Sequence, residues 1–373
     1  MKDRIPTKKN RVKLIFPDKT EYATMERADE PLQTETPLNK ANILTEQTAQ
    51  SLGFDALSDP SVNDAFAKVG DMLEYTYVCS GVEDDKKISQ LVNSFLTQES
   101  GNNNYKGIYL RIVGELGFSN RPYGISAPSV YCYLLFTAIT PNVTRKITID
   151  FAAATVNLIN PTKSGDKSSV YELMNVNRNG ITIINLNANF VFNMDFSGSA
   201  VGVRCSSNST LINCNVRVET VPPKSGAVST PYAFRGTGTY INCKAISVNS
   251  CNSITGDSIN TEAYGFYGKM VCLCCMSYAL VKAETGNKTY GYYCQDDGCY
   301  ISGCYANYGI KNGYNGSNPT HYGIYVLDDL TVYVSGNIIS RSMTYPVHYT
   351  IPEGREKSFV RNNIYMSSSE YIT

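Results

Sequence analysis

The sequence lacks tryptophan and has only two histidines, His321 and His348, among its 373 residues. Zinc sites and Ser-His-Asp triads depend heavily on histidine, so this scarcity argues against both kinds of site. Charged residues make up 18% of the chain, and 33 basic residues balance 33 acidic ones. Without net charge, the chain lacks the long-range positive field that attracts nucleic acids and anionic membranes. We therefore expect neither nucleic-acid binding nor membrane insertion.

Long apolar runs are also absent, since no stretch reaches the roughly 18 residues of a membrane-spanning helix. The first residues, MKDRIPTKKNRVKLIF, are basic but have no apolar core, so they do not form a secretory signal peptide. We therefore expect folding in a reducing cytosol, where disulfides are disfavoured. The 12 cysteines then require an explanation other than a disulfide framework.

The composition divides the chain into three parts. Residues 1–70 are rich in Pro, Thr and charge, and they predict only short helices at 40–52 and 61–70. Such helices cannot bury a core, so we expect this segment to order against a partner; a flexible leader is the alternative. Residues 71–104 predict a linker and one amphipathic helix, Asp84–Leu96, whose N-terminal aspartates favour the helix dipole. Residues 105–373 predict short strands rich in Ile, Val, Tyr and Thr.

The strand region contains an internal repeat of about 30 residues. One column of equivalent positions consists of Leu186, Cys214, Cys243, Cys275, Cys304, Asn337 and Asn363. A second column begins the segments Tyr232-Ala-Phe, Tyr264-Gly-Phe, Tyr290-Gly-Tyr and Tyr322-Gly-Ile. Each repeat holds two or three short strands and no helix, which predicts an all-β parallel β-helix of about 7–8 rungs. A β-propeller is the competing architecture, but its repeats are longer.

The cysteine column predicts a ladder of buried thiols, because free cysteine behaves as a small apolar residue. A metal or redox site is the alternative. The spacings around Cys272, Cys274 and Cys275 do not match zinc knuckles, and alternation along a strand places Cys274 and Cys275 on opposite sides. Asn337 and Asn363 would continue the column as an asparagine ladder. We expect no metal and no cofactor. The helix Asp84–Leu96 would cap the N-terminal end of the solenoid, and MSSSEYIT forms only a thin C-terminal cap.

Two stretches resemble known proteins. The segments RADEP and TPLNKA resemble the N-terminal module of tail fibre and baseplate proteins from phages and prophages of Gram-positive bacteria; their residues include Arg27, Asp29, Pro31, Pro37, Leu38 and Asn39. Residues 81–96 and the rungs resemble the pectate-lyase-like superfamily, and this resemblance implies that the parallel β-helix is right-handed. The resemblance implies a virion protein at the tail tip, assembled in the host cytoplasm. It also implies a homotrimer, with residues 1–70 attached to other tail or baseplate proteins and the β-helix projecting outward.

Tailspikes of this architecture bind or cleave surface polysaccharide, the latter with paired carboxylates. The candidate pairs are Asp296–Asp297 and Asp328–Asp329, which occupy equivalent positions on adjacent rungs, about 5 Å apart. A cation site and plain turn chemistry are the alternatives, because aspartate suits turns. We favour turn chemistry here.

Without tryptophan, carbohydrate recognition would have to use tyrosine rings. The candidates are Tyr264, Tyr290, Tyr293 and Tyr322, in a region rich in tyrosine. Their alternative role is to stack as ladders between rungs or at subunit contacts. Two functions therefore remain: a structural, receptor-binding tail protein, and a tailspike depolymerase acting as a glycoside hydrolase or polysaccharide lyase. The scarcity of charge in the solenoid favours the first. A bacterial pectate lyase is disfavoured, since no arginine accompanies an Asp cluster in the rungs.

Overall fold

The computed structural model of the chain describes residues 11–15, 20–24, 72–97, 107–127, 130–137, 146–160, 170–178, 180–193, 198–221, 229–250, 261–281, 287–308, 320–328, 330–340, 343–349 and 359–366. The chain divides into two units, residues 1–69 and 70–373. In the first unit, β1 (Arg11–Ile15) and β2 (Thr20–Thr24) form an antiparallel pair that the sequence analysis did not predict. The helices predicted at 40–52 and 61–70 lie outside the described residues.

The second unit is a right-handed parallel β-helix, which confirms the predicted fold class. Its strands stack in three faces. The first face contains β6 (Val130–Thr137), β8 (Val170–Asn177), the first parts of β11 (Gly198–Ile212) and β13 (Ser229–Ile241), β15 (Thr261–Gly268), β18 (Asn287–Cys294), β21 (Thr320–Val326) and β24 (Tyr345–His348). A short strand, β5 (Gly124–Ala127), pairs antiparallel with β6.

The second face contains β3 (Met72–Val78), β4 (Gly107–Glu115), the first part of β7 (Lys146–Ile159), β9 (Ile181–Ile184), the second parts of β11 and β13, β16 (Met270–Leu273), β19 (Cys299–Ser302), β22 (Val332–Ser335) and β25 (Phe359–Arg361). The third face contains the second part of β7, β10 (Asn187–Asn193), β12 (Asn215–Val221), β14 (Lys244–Asn249), β17 (Met276–Val281), β20 (Tyr305–Tyr308), β23 (Ile338–Ser340) and β26 (Ile364–Met366).

The corner between the second and third faces is made by a single residue in the left-handed conformation. On successive rungs it is Asn185, Asn213, Asn242, Cys274, Gly303, Gly336 and Asn362, each with positive φ. Asparagine and glycine tolerate this conformation better than other residues, which explains their recurrence in the sequence. The side chains stack outside the solenoid, where Asn242 Nδ2 donates to Asn213 Oδ1 at 2.8 Å. One strained residue per rung therefore turns the chain sharply.

The residue after each corner residue points inward and forms the predicted column. Cys214, Cys243, Cys275 and Cys304 are buried, as the sequence analysis predicted. Cys274 is exposed while Cys275 is buried, so their predicted separation is confirmed. The cause differs, however, because the corner conformation at Cys274 separates them rather than alternation along a strand. The asparagine ladder is also present, since Asn337 Nδ2 donates to Asn363 Oδ1 at 2.9 Å.

The predicted capping helix is present as α1 (Asp84–Thr97). Ile88 and Val92 are fully buried against the solenoid, as its apolar periodicity predicted. The helix also supplies hydrogen bonds to β6, the first strand of the first face. Ser89 Oγ accepts from Leu135 N–H at 3.1 Å, while Asn93 Oδ1 accepts from Thr137 N–H and Asn93 Nδ2 donates to Leu135 O, both at 3.0 Å. Ser89 and Asn93 thus satisfy backbone groups that an open edge would leave unpaired.

The two aspartates at the start of α1 hold the helix in place. Asp84 accepts from the N–H groups of Ser80, Gly81 and Gly117 at 2.8–3.0 Å, and Asp85 accepts from Ser119. Burial opposes ionisation of Asp84, but these hydrogen bonds outweigh it and keep its pKa below the ordinary value. The two aspartates therefore anchor the helix to neighbouring backbone, in addition to the predicted effect on the helix dipole. Of the predicted C-terminal cap, residues 366–373, only Met366 is described, as the last residue of β26.

Candidate functional site

Tyrosine rings form two parallel ladders on the outside of the first face. The first ladder consists of Tyr232, Tyr264, Tyr290, Tyr322 and Tyr345, whose successive rings stack at 4.6–5.2 Å. The second ladder consists of Tyr267, Tyr293, Tyr325 and His348, with successive rings at 4.7–5.0 Å. The ladders touch edge to face, as between Tyr290 and Tyr293 at 5.1 Å. The structure therefore brings all four predicted tyrosines, Tyr264, Tyr290, Tyr293 and Tyr322, into one surface, defined here as the aromatic face.

The small residue after four of the first-ladder tyrosines, Tyr232, Tyr264, Tyr290 and Tyr322, has a packing cause. A Cβ on Gly265 would lie 1.9 Å from Ser277 Oγ, and one on Gly291 would lie 2.5 Å from Gly323 O. The third face and the neighbouring rung lie so close at these two positions that no Cβ fits, whereas the Tyr232 rung accommodates Ala233. The residue after the small one also points inward, and at this position Phe234, Phe266 and Tyr292 stack in a buried ladder. This local irregularity places residues 264 and 267 on the same side, although strict alternation would separate them.

The stacking limits what the aromatic face can bind. Each inner ring covers the faces of its neighbours, and Tyr264 and Tyr290 are only 5% exposed. Tyr345, at the end of the first ladder, is 46% exposed. Burial raises the pKa of Tyr293 to about 12 and those of Tyr264 and Tyr290 further, so these hydroxyls remain protonated. Tyr264 and Tyr290 are therefore nearly covered, while the half-buried rings of the second ladder offer ring edges rather than open ring faces.

Sequence reasoning missed several members of this surface. It did not select Tyr267, Tyr325, Tyr345 or His348, and it did not select Arg235, which lies at the head of the second ladder in register with Tyr267. The available signal was the recurrence of an aromatic residue three positions after each column tyrosine, in YGFY, YGYY and YGIY. Strict alternation along a strand would place a residue three positions after an outward-pointing tyrosine inside the solenoid.

The acidic pairs lie in turns that follow the first face. Cys294 pairs with Val326, so Asp296 and Asp328 occupy equivalent positions on neighbouring rungs, and both are exposed. Asp297 is also exposed, and its Oδ1 accepts from Thr331 N–H at 2.7 Å. This contact is the turn chemistry that the sequence analysis favoured. Asp329 lies outside the described residues.

The interior cysteines do not form a metal centre. Within the described residues, no group of three or more His, Cys, Asp or Glu side chains is arranged to hold a metal ion. Burial raises the pKa of Cys272 to about 11 and that of Cys205 to about 12, so these two thiols are protonated, whereas hydrogen bonding with Cys214 and Cys275 lowers the pKa of Cys243. The column sulfurs also contact carbonyl groups, as Cys304 Sγ does with Cys272 O and Ser302 O, both at 3.4 Å.

The predicted attachment residues, Arg27, Asp29, Pro31, Pro37, Leu38 and Asn39, lie outside the described residues. Among the helices of the described part of the chain, none has the length and apolar character to span a membrane. No family model, curated protein or solved structure matches the chain.

Proposed function

We propose that the chain is a structural protein of a phage or phage-like tail, a tail fibre or tailspike that presents its β-helix to a glycan on the host surface. Residues 1–70 would attach it to the tail or baseplate. The observation that carries the proposal is the aromatic face, an outward array of partly exposed tyrosine rings that repeats from rung to rung. Two further features support the proposal: the parallel β-helix fold and the resemblance of the N-terminal segments to tail proteins.

The geometry of the aromatic face suits a polymer that runs along the solenoid. Adjacent rungs of a β-helix are about 4.8 Å apart, so equivalent hydroxyl groups recur at that interval. A polysaccharide also repeats its hydroxyl groups regularly along its length, and tyrosine provides both apolar edge and hydrogen bond. The open face of Tyr345 adds one position where a sugar ring can stack. Binding would therefore be distributed over several rungs rather than concentrated in a pocket.

We further propose that three copies associate side by side, as the resemblance implies. The second face carries an apolar stripe, consisting of Ile184, Ile212, Ile241 and Leu273 in register on successive rungs. These side chains point outward and are half-buried in the isolated chain. The adjacent outward column contains Thr182, Thr210, Thr239 and Val271, so both columns are uncharged on these four rungs.

A depolymerase remains the second candidate, supported by the register of Asp296 and Asp328. Two carboxylates on adjacent rungs have the spacing of a retaining glycosidase pair. Both are exposed in turns, outside the apolar surroundings in which a catalytic acid is usually held. We therefore place this activity second.

Immunolabelling of tail particles tests the proposed location. Antibodies raised against purified full-length protein, applied to particles induced from the source strain, should label the tail tip in electron micrographs. An antibody against a capsid protein from the same particles is the matched control. Particles whose tails remain unlabelled, while the capsid antibody binds, would contradict the proposal.

A further inference from the structure

A half-buried arginine lies at the head of the second ladder. The Arg235 guanidinium carbon is 4.8 Å from the centre of the Tyr232 ring and 5.5 Å from that of the Tyr267 ring. In register, Arg235 lies between Arg204 on the preceding rung and Tyr267 on the next. The two rings hold the guanidinium against the aromatic face instead of letting it extend into solvent.

The charges around Arg235 are unbalanced. Arg204 on the preceding rung is neutralised, since its Nη1 lies 2.9 Å from Oε1 of the buried Glu172. In the described part of the chain, no carboxylate lies within salt-bridge distance of Arg235. The carboxylate of Glu262 instead accepts a hydrogen bond from the Tyr264 hydroxyl at 2.7 Å. A partly desolvated cation without a counter-charge favours an anion supplied from outside.

The hydroxyl groups beside Arg235 can support such an anion. Burial raises the pKa of Tyr232 well above its ordinary value, so this hydroxyl remains a hydrogen-bond donor. A guanidinium presents several N–H groups in a planar fork that matches a carboxylate or a phosphate. Arg235 therefore differs from the solvated lysines of the surface, because aromatic rings fix its position next to neutral donors.

We propose that Arg235, flanked by Tyr232 and Tyr267, binds the anionic group of an acidic glycan, either a sugar carboxylate or a phosphodiester in the polymer backbone. This inference rests on the proposed function and adds the ligand class to it. The remaining sugars of the polymer would extend along the uncharged tyrosine ladders toward Tyr345. Arg235 thereby sets both the charge of the ligand and its register on the solenoid.

Binding of defined polymers to the full-length protein tests the inference. The probes are polygalacturonate for the carboxylate, poly(glycerol phosphate) for the phosphodiester and dextran as a neutral polymer, each measured by biolayer interferometry. Wild-type protein should bind at least one polyanion more tightly than dextran, and this preference should weaken with added salt. The polyanion that binds identifies the source of the anionic group.

Substitution of Arg235 provides the site-specific arm. Arg235→Gln should weaken polyanion binding on the order of tenfold, as expected for loss of a charged hydrogen bond. Arg235→Lys keeps the charge but loses the planar fork. Its affinity for the polyanion should therefore lie between those of the wild type and Arg235→Gln. The matched control is Arg217→Gln, which removes an arginine that pairs with Glu219 at 2.6 Å on the third face and should leave binding unchanged. Circular dichroism should show that all three variants keep the native melting transition.

Three results would overturn the inference. They are polyanion affinity that Arg235→Gln leaves unchanged, dextran binding as tight as polyanion binding, and no binding of either polyanion. Each of these leaves the proposed function standing, because that function is tested separately by labelling of tail particles. Unlabelled tails together with Arg235-dependent polyanion binding would instead contradict the virion proposal and retain the anion site.

Discussion

The inward-pointing corner position accepts cysteine and asparagine for the same reason. At Cys304, the sulfur accepts from Cys275 N–H at 3.3 Å and donates to carbonyl groups of the corner. At Asn337, Oδ1 accepts from Cys304 N–H at 2.9 Å and Nδ2 donates to Ile301 O at 3.1 Å. The repeat spacing was enough to predict that these residues share a column. Their hydrogen-bonding role was not predictable, because cysteine was treated only as a small apolar residue.

Substitution of Cys304 distinguishes a polar corner from an apolar one. Cys304→Asn should preserve a donor and an acceptor, whereas Cys304→Val leaves backbone groups of the corner unpaired. We expect Val to lower the free energy of unfolding by about 1–3 kcal/mol and Asn to lower it less. Denaturant unfolding of both variants measures the difference. If valine were tolerated as well as asparagine, the hydrogen-bonding role would be wrong.

His321 is a buried neutral histidine inside the first face. Its Nδ1 lies 2.7 Å from Thr289 Oγ1, and burial lowers its pKa to about 4 from the usual 6.5. Between these values the unfolded chain binds a proton that the native state does not, so stability falls as pH decreases from about 6.5 to 4, by up to about 1.4 kcal/mol per pH unit.

Replacing His321 should remove this contribution. We expect His321→Gln to show a shallower loss of unfolding free energy between pH 6.5 and 4 than the wild type. His348→Gln is the matched control, since His348 lies at the end of the second ladder and is not fully buried. Chemical denaturation at several pH values measures the slopes. Equal slopes for wild type and His321→Gln would show that His321 titrates normally.

At the scale of elements, α1 was predictable and its polar contacts were not. The apolar spacing from Ile88 to Phe95 and the aspartates before it fixed the helix within one residue of its observed end. The sequence did not indicate that Ser89 and Asn93 bind β6, because their partners are backbone groups more than 40 residues away. The backbone groups of an edge strand find their hydrogen-bond partners through the three-dimensional arrangement of the chain. A pattern of residue types does not contain that arrangement.

Removal of these polar contacts should destabilise the N-terminal end of the solenoid. The double variant Ser89→Ala/Asn93→Ala leaves N–H and C=O groups of β6 unpaired under the helix. We expect a loss of about 2–4 kcal/mol in unfolding free energy, although alanine favours helix formation. Gln90→Ala, on the exposed side of α1, should change stability little. Early hydrogen exchange at Leu135 and Thr137 in the double variant would localise the effect, and unchanged protection there would contradict it.

The aromatic face shows a similar division between what could and could not be predicted. The column that contains Tyr264, Tyr290 and Tyr322 follows directly from the repeat. The second ladder depends on the irregularity at Gly265 and its equivalents, which arises from close packing against the third face. Long-range packing of this kind is not encoded in any single strand, so the sequence identified only Tyr293 of the second ladder.

At the scale of the whole molecule, the parallel β-helix was predictable from the repeat, because repeats of about 30 residues are too short for propeller blades and stacking them buries a continuous core. The assembly is a separate question, and the apolar stripe on the second face offers a test of it. Ile241→Lys introduces a charge into that stripe and should convert a trimer to monomers in sedimentation velocity experiments. Asn187→Lys, at an exposed position of the third face, is the control and should leave the trimer intact. A wild-type monomer at micromolar concentration would contradict the trimer proposal.

The central claim is that the solenoid binds a surface glycan without cleaving it. The most direct test incubates full-length protein with a panel of purified bacterial surface polysaccharides and measures binding and the release of reducing or unsaturated ends together. The account predicts saturable binding to at least one polysaccharide, without release of sugar ends. Release that Asp296→Asn or Asp328→Asn abolishes would establish the depolymerase instead, and the absence of binding across the panel would contradict glycan recognition itself.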